Sequence, residues 1–273
     1  MTAPASLPIQ TPSTASDARP LAAWRVRWPW VAAVGVGLGG LVLTAAGSAV
    51  GVIAALGTDA ATFVLAGFAA ASALVGVAIM VASRRPLATY GFRTPRHLPA
   101  ALWAAPLAVV PLITLLAGGV SASPAAMVGL GCLSVAVAFN EEVWFRGLLP
   151  ATLRRLGRRT SIVGAAVIFG VLHLANAAGG KSPLYLALQV AFATLVGLVL
   201  AELVAVTGSL WLCIAWHSAY DFSSFLGGDV ISTETLVGLA VECVILVAYA
   251  AFLWRRLPTL DPGDRSSAPG LAG

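Results

Sequence analysis

Three charged residues, Glu141, Glu142 and Arg146, lie in the stretch Phe139-Asn140-Glu141-Glu142-Val143-Trp144-Phe145-Arg146-Gly147, inside a segment otherwise apolar enough to span a membrane. A charge at the bilayer centre costs roughly 2.5–3.5 kcal/mol on insertion scales, so such residues face a cavity and mark function. On a helix, Glu142 and Arg146 are four apart and are expected to form an internal ion pair. Glu141 is rotated about 100° away and has no partner of opposite sign in the same helix. We expect it to be presented to a catalytic cavity, since an unpaired buried carboxylate has to be protonated or hydrated.

Two further clusters sit at comparable depth. One is Phe169-Gly170-Val171-Leu172-His173; the other is His217-Ser218-Ala219-Tyr220-Asp221, where His217 and Asp221 are one helical turn apart. At about 1.5 Å of rise per residue, Glu141 lies roughly 12–15 Å from the inner end of its span near Pro150. His173 lies about 18 Å, and His217 and Asp221 about 12–18 Å, from the starts of theirs. The three spans are expected to bring these groups to one layer nearer the cytoplasmic face, as a single site. Of the remaining polar residues, Asn176 suits the cavity wall and Gln189 a bridge between helices. Glu202 is expected to reach the headgroups, Glu242 to lie away from the layer, and His97 to be solvated. Ser218 beside a histidine on a helix is not a serine nucleophile, and no G-x-S-x-G elbow or H-E-x-x-H zinc motif occurs.

The elements that must position these residues follow from composition. Of 273 residues, 59% are hydrophobic and 10% charged, and the mean hydropathy is +0.92. Soluble domains carry about 25% charged residues, so the chain reads as an all-α integral membrane protein. Apolar runs near 20 residues mean helices rather than a barrel. Eight spans are expected, near 31–56, 61–82, 99–118, 125–149, 161–178, 183–206, 209–226 and 235–254. They form one helical membrane domain over 30–256, with catalytic motifs in 139–221. Residues 1–29, a Pro/Ser/Thr/Ala-rich tail ending in a basic-aromatic interface anchor around Trp24 to Trp30, and 257–273 read as disordered cytoplasmic tails. Gly35, Gly39, Gly47 and Gly51 give the first span the spacing of close helix packing. Pro106 and Pro111 are expected to kink the third.

Every arginine except Arg146 falls on one side of this topology, including Arg84, Arg85, Arg154, Arg155, Arg158, Arg159, Arg255 and Arg256, whereas the other side carries Lys181. Both termini are therefore expected in the cytoplasm, with the protein in the plasma membrane. The net charge of +5 is explained by topology, and no basic face suited to nucleic acid is present. Cys132, Cys213 and Cys243 lie in apolar spans at no metal-like spacing and read as reduced core residues.

The set Glu141-Glu142-x-x-x-Arg146, Phe169-x-x-x-His173 and His217-x-x-x-Asp221 resembles the CPBP family of intramembrane proteases, the CAAX prenyl protease and bacteriocin-processing (Abi) relatives. The resemblance covers about residues 130–225. It implies an eight-helix membrane fold with a catalytic cavity open toward the cytoplasm, hydrolysing a membrane-associated peptide or protein admitted from that side. It also implies that Glu141 and His173 polarise an attacking water, that His217 and the residue at 221 stabilise the oxyanion, and that Glu142, Arg146 and Phe169 support them. The commoner pattern has Asn where this chain has Asp221, and an ionised Asp cannot donate to an oxyanion. Asp221 must then be protonated, ligate a metal, or orient His217; the last is the expectation favoured here. Members are described as metal-dependent and as glutamate-dependent, and His173, His217, Glu141 and Asp221 would also suit a zinc shell. Two alternatives stay open beside an endopeptidase. Intramembrane Glu, His and Asp also serve ion- or proton-coupled transport, and the same fold would suit a non-catalytic immunity protein.

Overall fold

In lipid every peptide group must be paired within its own segment, which leaves helices as the only form for these apolar runs. The computed structural model describes residues 27–95, 101–228 and 230–257. The predicted tail 1–20, Trp24 of the anchor and His97 lie outside them. The helices are α1 (Pro29–Ile53), α2 (Thr58–Ala82), α3 (Ala105–Gly118), α4 (Pro124–Leu156), α5 (Arg158–Gly179), α6 (Pro183–Thr207), α7 (Trp211–Gly227) and α8 (Thr233–Trp254). Among the described residues, six of them (all but α3 and α7) are long and apolar enough to cross a bilayer. Each helix coincides with one of the predicted intervals. Large apolar side chains such as Leu74 at 68%, Leu116 at 74% and Val244 at 70% exposure cover the outside. Such a surface is suited to lipid rather than water, so the chain is an integral membrane protein in contact with lipid.

α4 is the central strut, packed on α2 and α7, while α5 packs on α6 and α8 packs on α3 and α6. Its contact with α1 and α2 is made around Trp144. A Cβ on Gly40 would lie 2.8 Å from Trp144 Cγ, and one on Gly39 3.0 Å from the same ring. Trp144 Nε1 donates to the Ser72 carbonyl at 3.1 Å, and Asn140 Nδ2 donates to the Gly40 carbonyl at 3.2 Å. The predicted small-residue stripe is thus used at Gly39, at Gly47 against Phe68 and at Gly51 against Ala61. Gly35 is the exception, facing open space, whereas Gly37 and Gly40, outside the stripe, do make close contacts. The spacing of four located the helix face but not which of its members touch.

Two helices leave α geometry at the chemically interesting residues. In α4 the α-helix runs Pro124–Glu141, and Glu142–Leu148 then winds as a π-helix. Pro150 has no N–H to offer the Arg146 carbonyl one turn back, which removes an α-type hydrogen bond where the backbone widens. In α5 the α-helix ends at Leu172, and His173–Gly179 continues as a 3-10 helix. The start of α7 is pinned by the loop after Tyr90, where Leu210 N–H donates to the Gly91 carbonyl at 2.8 Å. Gly91 sits at φ +98°, and a Cβ there would lie 2.7 Å from Leu210 Cγ. Only glycine fits both demands.

Two expectations are corrected. Cys132 is exposed on the helical surface rather than in the core, unlike the buried Cys213. Glu202 is 0% exposed, and neither of its oxygens has a hydrogen-bond partner among the described residues. Interhelical packing therefore holds it away from the headgroups.

Gly40→Ala should destabilise the protein by about 1–3 kcal/mol through overpacking against Trp144, whereas Gly35→Ala should leave stability unchanged or slightly raised. Thermal unfolding of the two variants in detergent checks the contrast.

Candidate active site

Glu142 is fully buried and is the hub of the site. Its Oε1 lies 3.0 Å from Arg146 Nη1, as the i, i+4 spacing predicts, and accepts from His217 Nδ1 at 2.8 Å. The Arg146 contact is one of charge rather than an aligned hydrogen bond. The guanidinium lies over the Phe169 ring, 4.1 Å from its centroid, a cation–π contact. Phe169 also meets Phe145, His173 and His217 edge-on, with centroids 4.9, 4.7 and 6.4 Å away. Motifs from α4, α5 and α7 therefore converge on one cluster.

His217 is buried, and its second nitrogen points the other way. Nε2 lies 3.7 Å from Glu141 Oε2 and 3.5 Å from Asp221 Oδ1. The expected contact between His217 and Asp221 is present, but the shorter one, to Nδ1, is made by Glu142 across the helix interface. Asp221 and Glu141 both lie at Nε2, and Asp221 Oδ2 is buried with no hydrogen-bond partner among the described residues. Intrahelical spacing pointed to Asp221; the closer partner comes from another helix.

His173 Nδ1 lies 2.9 Å from the Phe169 carbonyl oxygen. A carbonyl only accepts, so Nδ1 carries the hydrogen and Nε2 of a neutral ring is left with a lone pair. His173 lines two adjoining cavities. The smaller, about 70 Å³, is shared with Glu141, Asn176 and Gly40. The larger, about 280 Å³, is shared with His217, Asp221, Phe169, Gln189 and Glu242. Glu141, with a side chain 22% exposed, thus reaches open space while its neighbour Glu142 does not.

The larger cavity is walled by the C-terminal halves of α3 and α7 and the N-terminal halves of α6 and α8. It extends to Val230 and Ile231 in the α7–α8 link, which are 60% and 43% exposed. These are the helix ends remote from the arginine clusters at 84–85, 154–159 and 255–256.

Several residues of the cavity were not foreseen. Glu242 lines it, 3% exposed, instead of lying apart, and accepts from Thr114 Oγ1 at 2.6 Å. Tyr220 lines it too, stacked between Trp216 and Phe192 at 5.5 and 5.2 Å. The i, i+3, i+4 and i+7 spacing of His217, Tyr220, Asp221 and Ser224 was the available signal for this wall. Gln189 accepts from Asn176 Nδ2 at 2.9 Å, bridging α6 and α5 as expected. Ser218 donates back to the Ile214 carbonyl at 2.7 Å, the ordinary role of a helical serine. Among the described residues no three His, Cys, Asp or Glu side chains are grouped so as to hold a metal ion.

Residues 123–223 match the family described as Rce1-like: Type II CAAX prenyl endopeptidase Rce1-like. The matched segment contains Glu141, Glu142, Arg146, Phe169, His173, His217 and Asp221; Thr114 and Glu242 lie outside it. The search of curated proteins and the search of solved structures found no match to the chain.

Removing the Glu142 carboxylate would leave the Arg146 charge buried and unpaired. Glu142→Ala should cost about 3–5 kcal/mol, and Glu142→Ala combined with Arg146→Met should recover much of the loss. Chemical or thermal denaturation of the single and double variants measures both.

Proposed function

We propose that the protein is an intramembrane endopeptidase in which Glu141 and His173 activate water against a peptide bond held in the larger cavity. The observation that carries this is the state of His217. Glu142 fixes its Nδ1, so that Nε2 is aimed at Glu141 and Asp221, within a segment matching a CAAX-protease family. A histidine used only as a helix bridge has no need of three carboxylates around it.

The chemistry balances on this chain's own groups. Water in the smaller cavity gives one proton to Glu141, assisted by the His173 Nε2 lone pair, while its oxygen adds to the carbonyl carbon. Negative charge then develops on the carbonyl oxygen, to which Nε2–H of His217 donates; His217 acts as the imidazolium, its Nδ1–H on Glu142 and its charge balanced by the carboxylates around it. Asp221 acts beside it as a second donor, in its protonated form, since a carboxylate has no hydrogen to give. When the tetrahedral intermediate collapses the C–N bond breaks, and the leaving amine takes the proton held by Glu141. A surrounding of Phe169, Phe192 and Val196 keeps bulk water away and strengthens each of these interactions. Zinc held by His173, His217, Glu141 and Asp221 would supply a Lewis acid at the same place and is not required by this scheme.

The reading extends to topology. α3 and α7 would bring the crossings to eight; α7, at 17 residues, is about 25 Å long, enough for most of a hydrocarbon core. The arginine clusters favour cytoplasmic termini in the plasma membrane. On that orientation the mouth of the larger cavity opens away from the cytoplasm, and substrate is admitted there or laterally from lipid.

Glu141→Gln and His173→Ala should each lower peptide cleavage by 100-fold or more (on the order of 10²–10⁴ for a lost general base) while the thermal unfolding profile is kept. Near-normal turnover by both would refute the protease reading. Asp221→Asn, whose amide donates without a titrating proton, should stay active, and Asp221→Ala should not. Cleavage by the wild-type protein should survive exhaustive chelation, measured beside metal analysis of the same sample.

A further inference from the structure

The wall opposite the His217 cluster carries a group that the hydrolytic scheme does not use. Glu242 of α8 is 3% exposed, lines the larger cavity and is held by Thr114 of α3. No Arg or Lys is among the described residues lining that cavity, and Glu242 has no ion-pair partner among the described residues. Of the other residues lining this cavity, Leu239, Phe192 and Val196 are apolar and Tyr220 is uncharged. A helix could bridge α3 to α8 through Thr114 with an amide or hydroxyl at lower cost, since burying a carboxylate without a counter-charge is expensive. What the position offers is an acceptor at the wall of the same cavity that His217 and Asp221 line.

We infer that Glu242 is a specificity-determining residue that receives a lysine or arginine side chain of the peptide, an inference that rests on the cavity being the peptide site. A basic side chain supplies the missing counter-charge and a charge-assisted hydrogen bond, while its methylene stem lies along the apolar wall. With no Arg or Lys among the described residues of the lining, Glu242 also disfavours a peptide whose own carboxylate must come beside it. The substrate class is accordingly a hydrophobic peptide with an internal basic residue.

The test uses the full-length protein in lipid nanodiscs and a fluorescent leucine–alanine peptide, blocked at both ends, with lysine, norleucine or glutamate at its centre. Anisotropy should show the lysine peptide bound about 10-fold or more tightly than the other two by the wild-type protein. In Glu242→Gln, which keeps the Thr114 contact, this ratio should fall to near one with norleucine-peptide binding and thermal unfolding unchanged. Equal binding of the lysine and norleucine peptides by the wild type, or a lysine preference that persists in Glu242→Gln, overturns the inference. Cleavage of the bound peptides is followed by mass spectrometry in the same samples. A lysine preference that depends on Glu242 without any cleavage counts against the protease reading and leaves the recognition role standing.

Discussion

A carboxylate with no exposed surface, Glu142, is the constraint around which the rest of the molecule is arranged. Burying an ion in a membrane protein is tolerable only if opposite charge and hydrogen-bond donors come with it. Arg146 supplies the charge from the same helix, and His217 supplies the donor from α7. Phe169 of α5 covers the guanidinium. Two helices, α4 and α7, thereby meet at one oxygen atom and α5 joins them through Arg146, so any separation of α4 from α7 would expose a buried charge to apolar surroundings. The apolar contacts around Trp144 hold α4 against α1 and α2 but carry no directional information about the site. The Glu142 cluster does carry it, because hydrogen bonds and ion pairs depend on angle and distance far more steeply than packing does.

The backbone is shaped around the same cluster. α4 changes to π winding at Glu142, and α5 changes to 3-10 winding at His173. In each case the break comes at the residue whose side chain must be aimed, and breaks of this kind are tolerated in a membrane where neighbouring helices cover the altered hydrogen bonding. The result separates two adjacent glutamates. Glu142 is sealed into the interface, and Glu141 opens into the space shared with His173. One carboxylate builds the site and the other is left available to water.

The cavity combines this acidic cluster with aromatic and aliphatic walls, the usual balance of a site that binds an apolar ligand and orients it with few polar groups. Tyr220, stacked between Trp216 and Phe192, lines the same cavity as His217 and Glu242. Trp216 in turn donates to the Leu107 carbonyl at 2.8 Å, which ties this stack to α3. His217, Tyr220 and Glu242 all stand on helices rather than loops.

Much of this was legible from residue order alone. The helical class, the placement of the helices and the Glu142–Arg146 pair follow from local rules: hydrophobic run length, and a helical rise that brings positions four apart together. The grouping of Glu141, His173, His217 and Asp221 followed from rarity, because ionisable residues in lipid are affordable only in company. Tertiary structure alone decided which carboxylate lies closest to His217, that Glu242 shares the chamber, and that Glu202 is sealed in. Each of these depends on the rotation and splay of one helix against another, over distances in sequence as large as the 128 positions between Thr114 and Glu242. Periodicity fixes the face a residue occupies on its own helix. It contains no term for the neighbour that face will meet.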